Sequence, residues 1–163
     1  MPETNPIRPT DDEARSLARS LLAEARHAAL AVLHPESGAP YVSRIALGQG
    51  PDGAPVTLVS TLALHTRALQ ADPRAALLVG EPGPKGDPLT HPRLSLEVSA
   101  AFVAPDDPDR AALRAKYLAD HPKAKLYADF ADFGFVRFTV AGAALNGGFG
   151  RAYLLTPDDL RSR

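Results

Sequence analysis

Proline and glycine cut this chain into apolar runs too short for long helices and too numerous for a helical bundle. Sixteen prolines and twelve glycines concentrate between the runs, in HPESGAP (34–40), GQGPDGAP (48–55) and GEPGPKGDPLTHP (80–92). Proline lacks an amide donor and glycine carries a high backbone entropy cost, so both mark turns and loops rather than element interiors. Residues 28–33, 41–47, 56–60, 75–79, 93–103, 133–144 and 151–155 remain between them. Their shortness and apolar or alternating character predict strands, the first two joined as a hairpin. The long loop 80–92 is predicted to lie on the surface.

Three segments change period. Ala14, Leu17, Ala18, Leu21, Leu22 and Ala25 recur at three and four residues, one stripe of an amphipathic helix. Thr10 followed by Glu13 predicts a capping box at its start. Residues 62–72 place Leu62, Thr66 and Leu69 on one face, and Pro73 ends that helix. Asp106 and Asp107 are expected to cap a third helix, with Pro108 in its first turn and Pro122 as its stop. A short helical piece is expected over 123–130. Roughly seven strands with three interposed helices predict an α+β, mainly β, barrel, because a doubly wound sheet needs more crossover helices. No repeat or linker divides the chain, which predicts one domain over 1–163 with a flexible 1–10.

Composition then removes function classes. Eighteen basic residues against nineteen acidic supply no positive field for nucleic acid or a membrane surface. The absence of cysteine excludes disulfides, thiolate catalysis and thiolate metal sites. The opening MPETNPIRPTDDE lacks the apolar core of a signal peptide, so a cytoplasmic protein is expected. Histidines 27, 34, 65, 91 and 121 show no metal spacing, and no metal is expected. Neither a P-loop nor a Gly-x-Ser-x-Gly elbow occurs, and Gly148-Phe149-Gly150 does not open a dinucleotide-binding helix. No residue stands out as an acid–base catalyst.

The segment LVSTLALHTRALQADPRAALLV (58–79) carries the chemistry that remains. A strand runs into Ser60-Thr61, where the second helix is expected to open, with His65, Thr66 and Arg67 in its first turns. Hydroxyls and free amides at a helix N-terminus suit an anion. They also suit a plain cap with Arg67 solvated, and local chemistry leaves both readings open.

YVSRIAL (41–47), this segment and PRLSLEVSA (92–101) together resemble the FMN-binding split barrel of the pyridoxamine 5′-phosphate oxidase superfamily. KYLADHPKAKLYADFADFGFVRFTVAGAALNGGFGRA (116–152) is similar to its haem-utilisation, HugZ-like branch. The resemblance spans about residues 14–155. It implies a homodimer with FMN at the interface. Ser43, Arg44 and Ile45 would run beside the isoalloxazine ring. Ser60, Thr61, His65, Thr66 and Arg67 would hold the ribityl phosphate. Arg93 would reach the flavin of the second subunit, and Phe149 and Arg151 would lie near it beside their glycines.

The same resemblance argues against the family's named substrate. True oxidases hold the substrate phosphate with Tyr, then Arg four residues on, then Pro, then Ser; here Tyr117, His121, Pro122 and Lys125 stand. The arginine's fork has become a histidine and the serine a lysine, and neither is equivalent in geometry. The C-terminal Trp and Arg-x-His pair of those enzymes give way to NGGFGRAYLL. Three functions follow as expectations: an FMN-dependent oxidoreductase with another small-molecule substrate, a haem-binding or haem-degrading protein, or a flavin-binding module without turnover. For haem, His121 and His91 are the candidate axial ligands, and haem-degrading members usually carry an extra C-terminal domain.

Overall fold

The computed structural model describes residues 5–161. Their elements run β1 (Ile7–Arg8), α1 (Asp12–Glu24), β2 (His27–Leu33), β3 (Pro40–Ala46), β4 (Gly48–Gln49) and β5 (Pro55–Ser60). After these come α2 (Leu64–Ala71), β6 (Arg74–Val79), β7 (Arg93–Phe102), α3 (Arg110–Asp120), β8 (Phe133–Asn146) and β9 (Ala152–Leu155). The fold is mainly β with three α-helices among the described residues, and every expected strand and helix is present within a few residues of its expected bounds.

Period-two burial builds the sheet. β2 turns Ala28, Leu30 and Val32 inward and leaves Ala29 and Ala31 on the other face. From β3 the ladder continues antiparallel through β2, β6, β7 and β8. β8 keeps β7 along one edge and divides the other: residues 133–137 pair with β5, and residues 143–146 with β9. A register shift between Glu97 and Val98 leaves Ala141 as the extra residue of a β-bulge, which bends β8 between its two partners. The sheet curls back on itself at β3 and β5, where Thr57, fully buried, donates from Oγ1 to the Ala46 carbonyl at 2.6 Å. A buried side-chain bond thus replaces a ladder at the seam.

Two apolar clusters flank this wall. Inside it, Leu30, Leu77, Leu94, Leu96, Val136 and Phe138 pack with Ala14, Ala18 and Leu22 of α1 and with Ala68 and Leu69 of α2. Outside it, Leu113 and Tyr117 of α3 cover Val56, Leu58 and Phe135. β5 is therefore buried on both faces: Pro55 to Val59 are all covered, and Thr57, the one polar side chain among them, spends its hydroxyl on the Ala46 carbonyl.

The capping box is not formed. Asp11 is the cap of α1, accepting from the Ala14 amide at 2.8 Å, while the Thr10 hydroxyl donates to the Leu154 carbonyl at 2.6 Å. That bond, with Ile7–Arg8 paired in parallel to Ala152 and Tyr153, ties residues 7–10 to β9, so the expected flexible segment is anchored there. The first four residues of that segment lie outside the described residues. α3 starts at Arg110, beyond Asp106, Asp107 and Pro108, with Asp109 as its N-cap residue. The expected helical piece after Pro122 is a 3-10 turn, Pro122–Leu126.

Two glycines are fixed by space. Gly80 has φ +101°, and a Cβ there would lie 2.5 Å from the Pro92 carbonyl oxygen, so only glycine closes the base of the 80–92 loop. At Gly48 a Cβ would lie 2.8 Å from Cδ2 of Tyr117. No described helix is long and apolar enough to cross a membrane.

Candidate cofactor-binding site

The end of β5, the start of α2 and the middle of β3 meet at one corner. Ser43 and Ile45 share a face of β3; Ile45 is buried in the core, and Ser43, less covered, meets α2. The Ser43 Oγ lies 3.0 Å from Nδ1 of His65. Burial pushes the His65 pKa below its ordinary 6.5, so the imidazole is neutral near pH 7. Its Nε2 has no protein partner among the described residues.

The helix opens later than the sequence implies. α2 begins at Leu64, and its N-cap residue, Ala63, has no side chain to satisfy the first amides. Ser60 is instead committed to the turn before it: its Oγ accepts from the Leu62 amide and donates to Oδ2 of Asp132, both at 3.2 Å. Thr61 is exposed, and its amide donates to the Asp132 carbonyl at 2.8 Å. Thr66 is turned into the fold: it is 1% exposed and its hydroxyl donates to the Ser60 carbonyl at 2.6 Å. Thr66 is thus a structural clamp on the corner, and its hydroxyl is not available to a phosphate. Arg44 and Arg67 stand exposed, and neither guanidinium has a protein partner among the described residues. The corner offers an uncapped helix N-terminus, the free cation of Arg67, one neutral imidazole and one carboxylate, that of Asp132; Arg44, level with Ala29, stands on the opposite face of β3 from Ser43. Asp132 was not anticipated, since only the fold brings β8's leading turn beside Ser60.

A second group collects elsewhere. Arg93 starts β7, and its Nη1 donates to the carbonyls of Leu89 and His91 at 3.1 and 3.5 Å, holding the 80–92 loop. Asn146, its register partner on β8, leads into the turn that carries Phe149 and Arg151. Phe149 is 95% exposed. Ser43 and this group are separated by the β3-to-β7 step of the sheet, three strand spacings or about 14 Å. The residues expected around one flavin therefore fall into two separate groups within a chain.

Tyr117, His121 and Lys125 do not form a pocket. Tyr117 is 1% exposed, stacks on His121 at 4.6 Å between centroids and meets Phe135 edge-on at 5.4 Å. Burial drives its pKa up to about 12. His121 Nε2 lies 2.8 Å from the Leu47 carbonyl oxygen, to which it donates, while Lys125 is exposed on the 3-10 turn. The other haem-ligand candidate, His91, is equally engaged: Nδ1 accepts from the Gly83 amide at 3.2 Å and Nε2 donates to the Lys85 carbonyl at 2.7 Å.

A sheet that curls until β3 meets β5, and whose longest strand divides its edge between two partners, defines a split β-barrel. The chain belongs to the pyridoxamine 5′-phosphate oxidase family, whose sequence profile matches residues 15–146. It is 38% identical over 100 residues to the non-canonical heme oxygenase HOZ, chloroplastic, of Arabidopsis thaliana, covering 61% of this chain and 29% of that protein. The protein Atu2129 of Agrobacterium tumefaciens, of unknown function, superposes with a TM-score of 0.81 at 37% identity, over 98% of this chain and 66% of that one. A heme binding protein from Mycobacterium smegmatis gives 0.81 at 34%, over 94% and 61%. The chain thus spans under a third of the Arabidopsis protein's length. Two of these three relatives, the Arabidopsis and the Mycobacterium proteins, are named for heme.

Proposed function

We propose that this protein binds FMN at the Ser43–Arg67 corner and works as a flavin-dependent oxidoreductase on a small molecule other than pyridoxamine phosphate. The observation that carries the reading is the start of α2: it has no side-chain cap, and Arg67 beside it has no partner among the described residues. An uncapped helix N-terminus with a free guanidinium fits a phosphate monoester. Bound flavin would supply the redox chemistry, while the protein orients it, limits water and tunes its polar edge. Arg67 would bind the phosphate, and Ser43, oriented by His65, would offer a hydroxyl to the ring. Ser60 would contribute only by releasing Asp132.

The second group supports a homodimer in which Arg93, Phe149 and Arg151 of one protomer complete the corner of the other. A surface suits that arrangement. Across the outer face of the sheet Ala29, Leu78, Ser95 and Ala144 lie side by side in register, and Leu154 continues the row onto β9. Leu78 and Leu154 stay 43% and 61% exposed beside a shallow trough floored by small residues. Sedimentation of the flavin-loaded protein as a dimer is the expected result; a monomer with flavin bound would overturn the shared site.

Haem is the second reading, favoured by the names of the two relatives above 30% identity that bind or act on it. With His121 and His91 engaged, His65 is the histidine that suits an iron ligand. It is neutral, half-buried and open at Nε2. The visible spectrum of the purified protein separates the readings, a two-band flavin absorption supporting the first and a Soret band the second. Protein that takes up neither from added FMN or haemin refutes both. Flavin bound without turnover of any electron donor would reduce the first to a binding module.

A further inference from the structure

We propose that a second ligand site, for a small organic oxyanion with an apolar body, occupies the split of the barrel around Arg137. Along β8 the edge that faces β5 and β9 is paired up to Arg137 and again from Ala143; residues 138–142 pair with no described strand on that side. A cavity of about 630 Å³ opens there, between α1, the 49–55 hairpin, β8 and residues 157–161. That volume lies within the ordinary range for small-molecule sites.

The lining fits an anion. Arg137 interrupts an otherwise apolar stretch of β8, and its Nε is buried with no hydrogen-bond partner among the described residues. That nitrogen is closed off even from the cavity, so a ligand there would meet the outer nitrogens of this guanidinium, whose planar fork suits an oxyanion. Arg19 and Arg161 face the same space. Arg19 donates only its Nε, to the Asp159 carbonyl at 2.9 Å, and Arg161 pairs with Asp158 at 3.0 Å where both side chains are about three-quarters exposed. Exposed pairs of that kind exchange partners at little cost. Against these three guanidinium groups stands one lining carboxylate, Asp52, which already accepts from the Ala54 amide at 3.1 Å. Leu22 and Val140 supply apolar wall. Carboxylate or phosphate on a compact apolar body matches this combination; a bare inorganic ion would leave the wall unused.

The site is separate from the corner proposed for flavin. β5 links them, with Pro55 lining the cavity and Ser60 at the corner, five residues or about 17 Å apart along the strand. The test uses 1-naphthyl phosphate and 1-naphthoate as probes, with 1-naphthol as the uncharged control, titrated by calorimetry into the full chain saturated with FMN. Both anions are expected to bind saturably and the alcohol not at all. Arg137→Gln and Arg19→Gln should each weaken the anions by about tenfold or more, the scale of a lost charge-assisted hydrogen bond. Arg67→Ala should leave them unchanged. Should Arg137→Gln fail to fold, Arg19→Gln, on the helix, carries the test alone. The proposal is overturned if neither anion binds the natural chain at millimolar concentration, if binding survives both arginine substitutions, or if it is lost in Arg67→Ala.

Discussion

The corner at Ser43–Arg67 and the segment Tyr117–Lys125 both contain an aromatic or hydroxyl group, a histidine and a cation, yet the fold uses them in opposite ways. In the second, polar and aromatic groups are committed to structure: Tyr117 is buried against Phe135, and His121 secures the Leu47 carbonyl. In the first, the helix start is uncapped and Arg67 is open to solvent. What separates them is which groups have hydrogen-bonding capacity left once the chain has folded. A ligand site needs that remainder.

The largest expected effect tests the structural side. Tyr117→Ala should cost about 3–5 kcal/mol of stability, the range for deleting a buried aromatic, read as a lower urea midpoint. Cofactor bound per folded molecule should be unchanged. If instead the variant stays stable and loses a ligand, Tyr117 belongs to a site after all and the contrast fails.

Next comes Arg67→Ala, which should leave the urea midpoint within error of the natural chain. It should weaken FMN by about 10- to 100-fold, as expected for a lost hydrogen bond to a charged phosphate. Ser60→Ala sharpens the point, because Ser60 already serves Asp132 and Leu62; its loss should reduce flavin affinity less than Arg67→Ala does. Equal losses would mean that Ser60 abandons Asp132 when flavin binds.

A smaller effect is expected from His121→Ala. It removes the donor to the Leu47 carbonyl and should cost about 1–2 kcal/mol, again without changing flavin or haem uptake. Loss of a Soret band in that variant, with His65→Ala retaining it, would reverse the assignment of the iron ligand.

The fold was largely legible because its signals are local. Proline and glycine placed the loops and the runs between them the strands, and on β7 the structure buries the alternate residues Leu94, Leu96 and Val98. The helix starts were read too early for a local reason as well. Thr10, Ser60 and Asp107 are good caps by type, yet each spends its side chain elsewhere: on β9, on Asp132, and on the Asp109 amide at 2.8 Å. Sequence shows which residues can cap, and tertiary partners decide which do. The site was less legible for the same reason. Asp132 lies 72 residues from Ser60 in sequence, and no spacing rule joins them. Arg137 did leave a sign, a charge within the run FVRFTV. Reading it required knowing that β8 changes partners there.

The last and smallest effect concerns protons at the corner. His65 has its pKa lowered by burial, so the unfolded chain takes up a proton at about the ordinary 6.5 while the folded chain does so only at lower pH. Folding therefore holds fewer protons in that window, and stability rises with pH. The contribution is complete above 6.5 and declines as pH falls below it, until the folded imidazole also titrates. His65→Asn removes the titration, so the difference in melting temperature between natural chain and variant should shift against the natural chain between pH 7 and pH 5. Bound cofactor should enlarge that shift if it buries His65 further. It should abolish the titration if Nε2 becomes an iron ligand, because coordination holds the imidazole unprotonated. A difference that stays flat across the interval, with and without cofactor, would mean that His65 is more open to water than its contact with Ser43 implies.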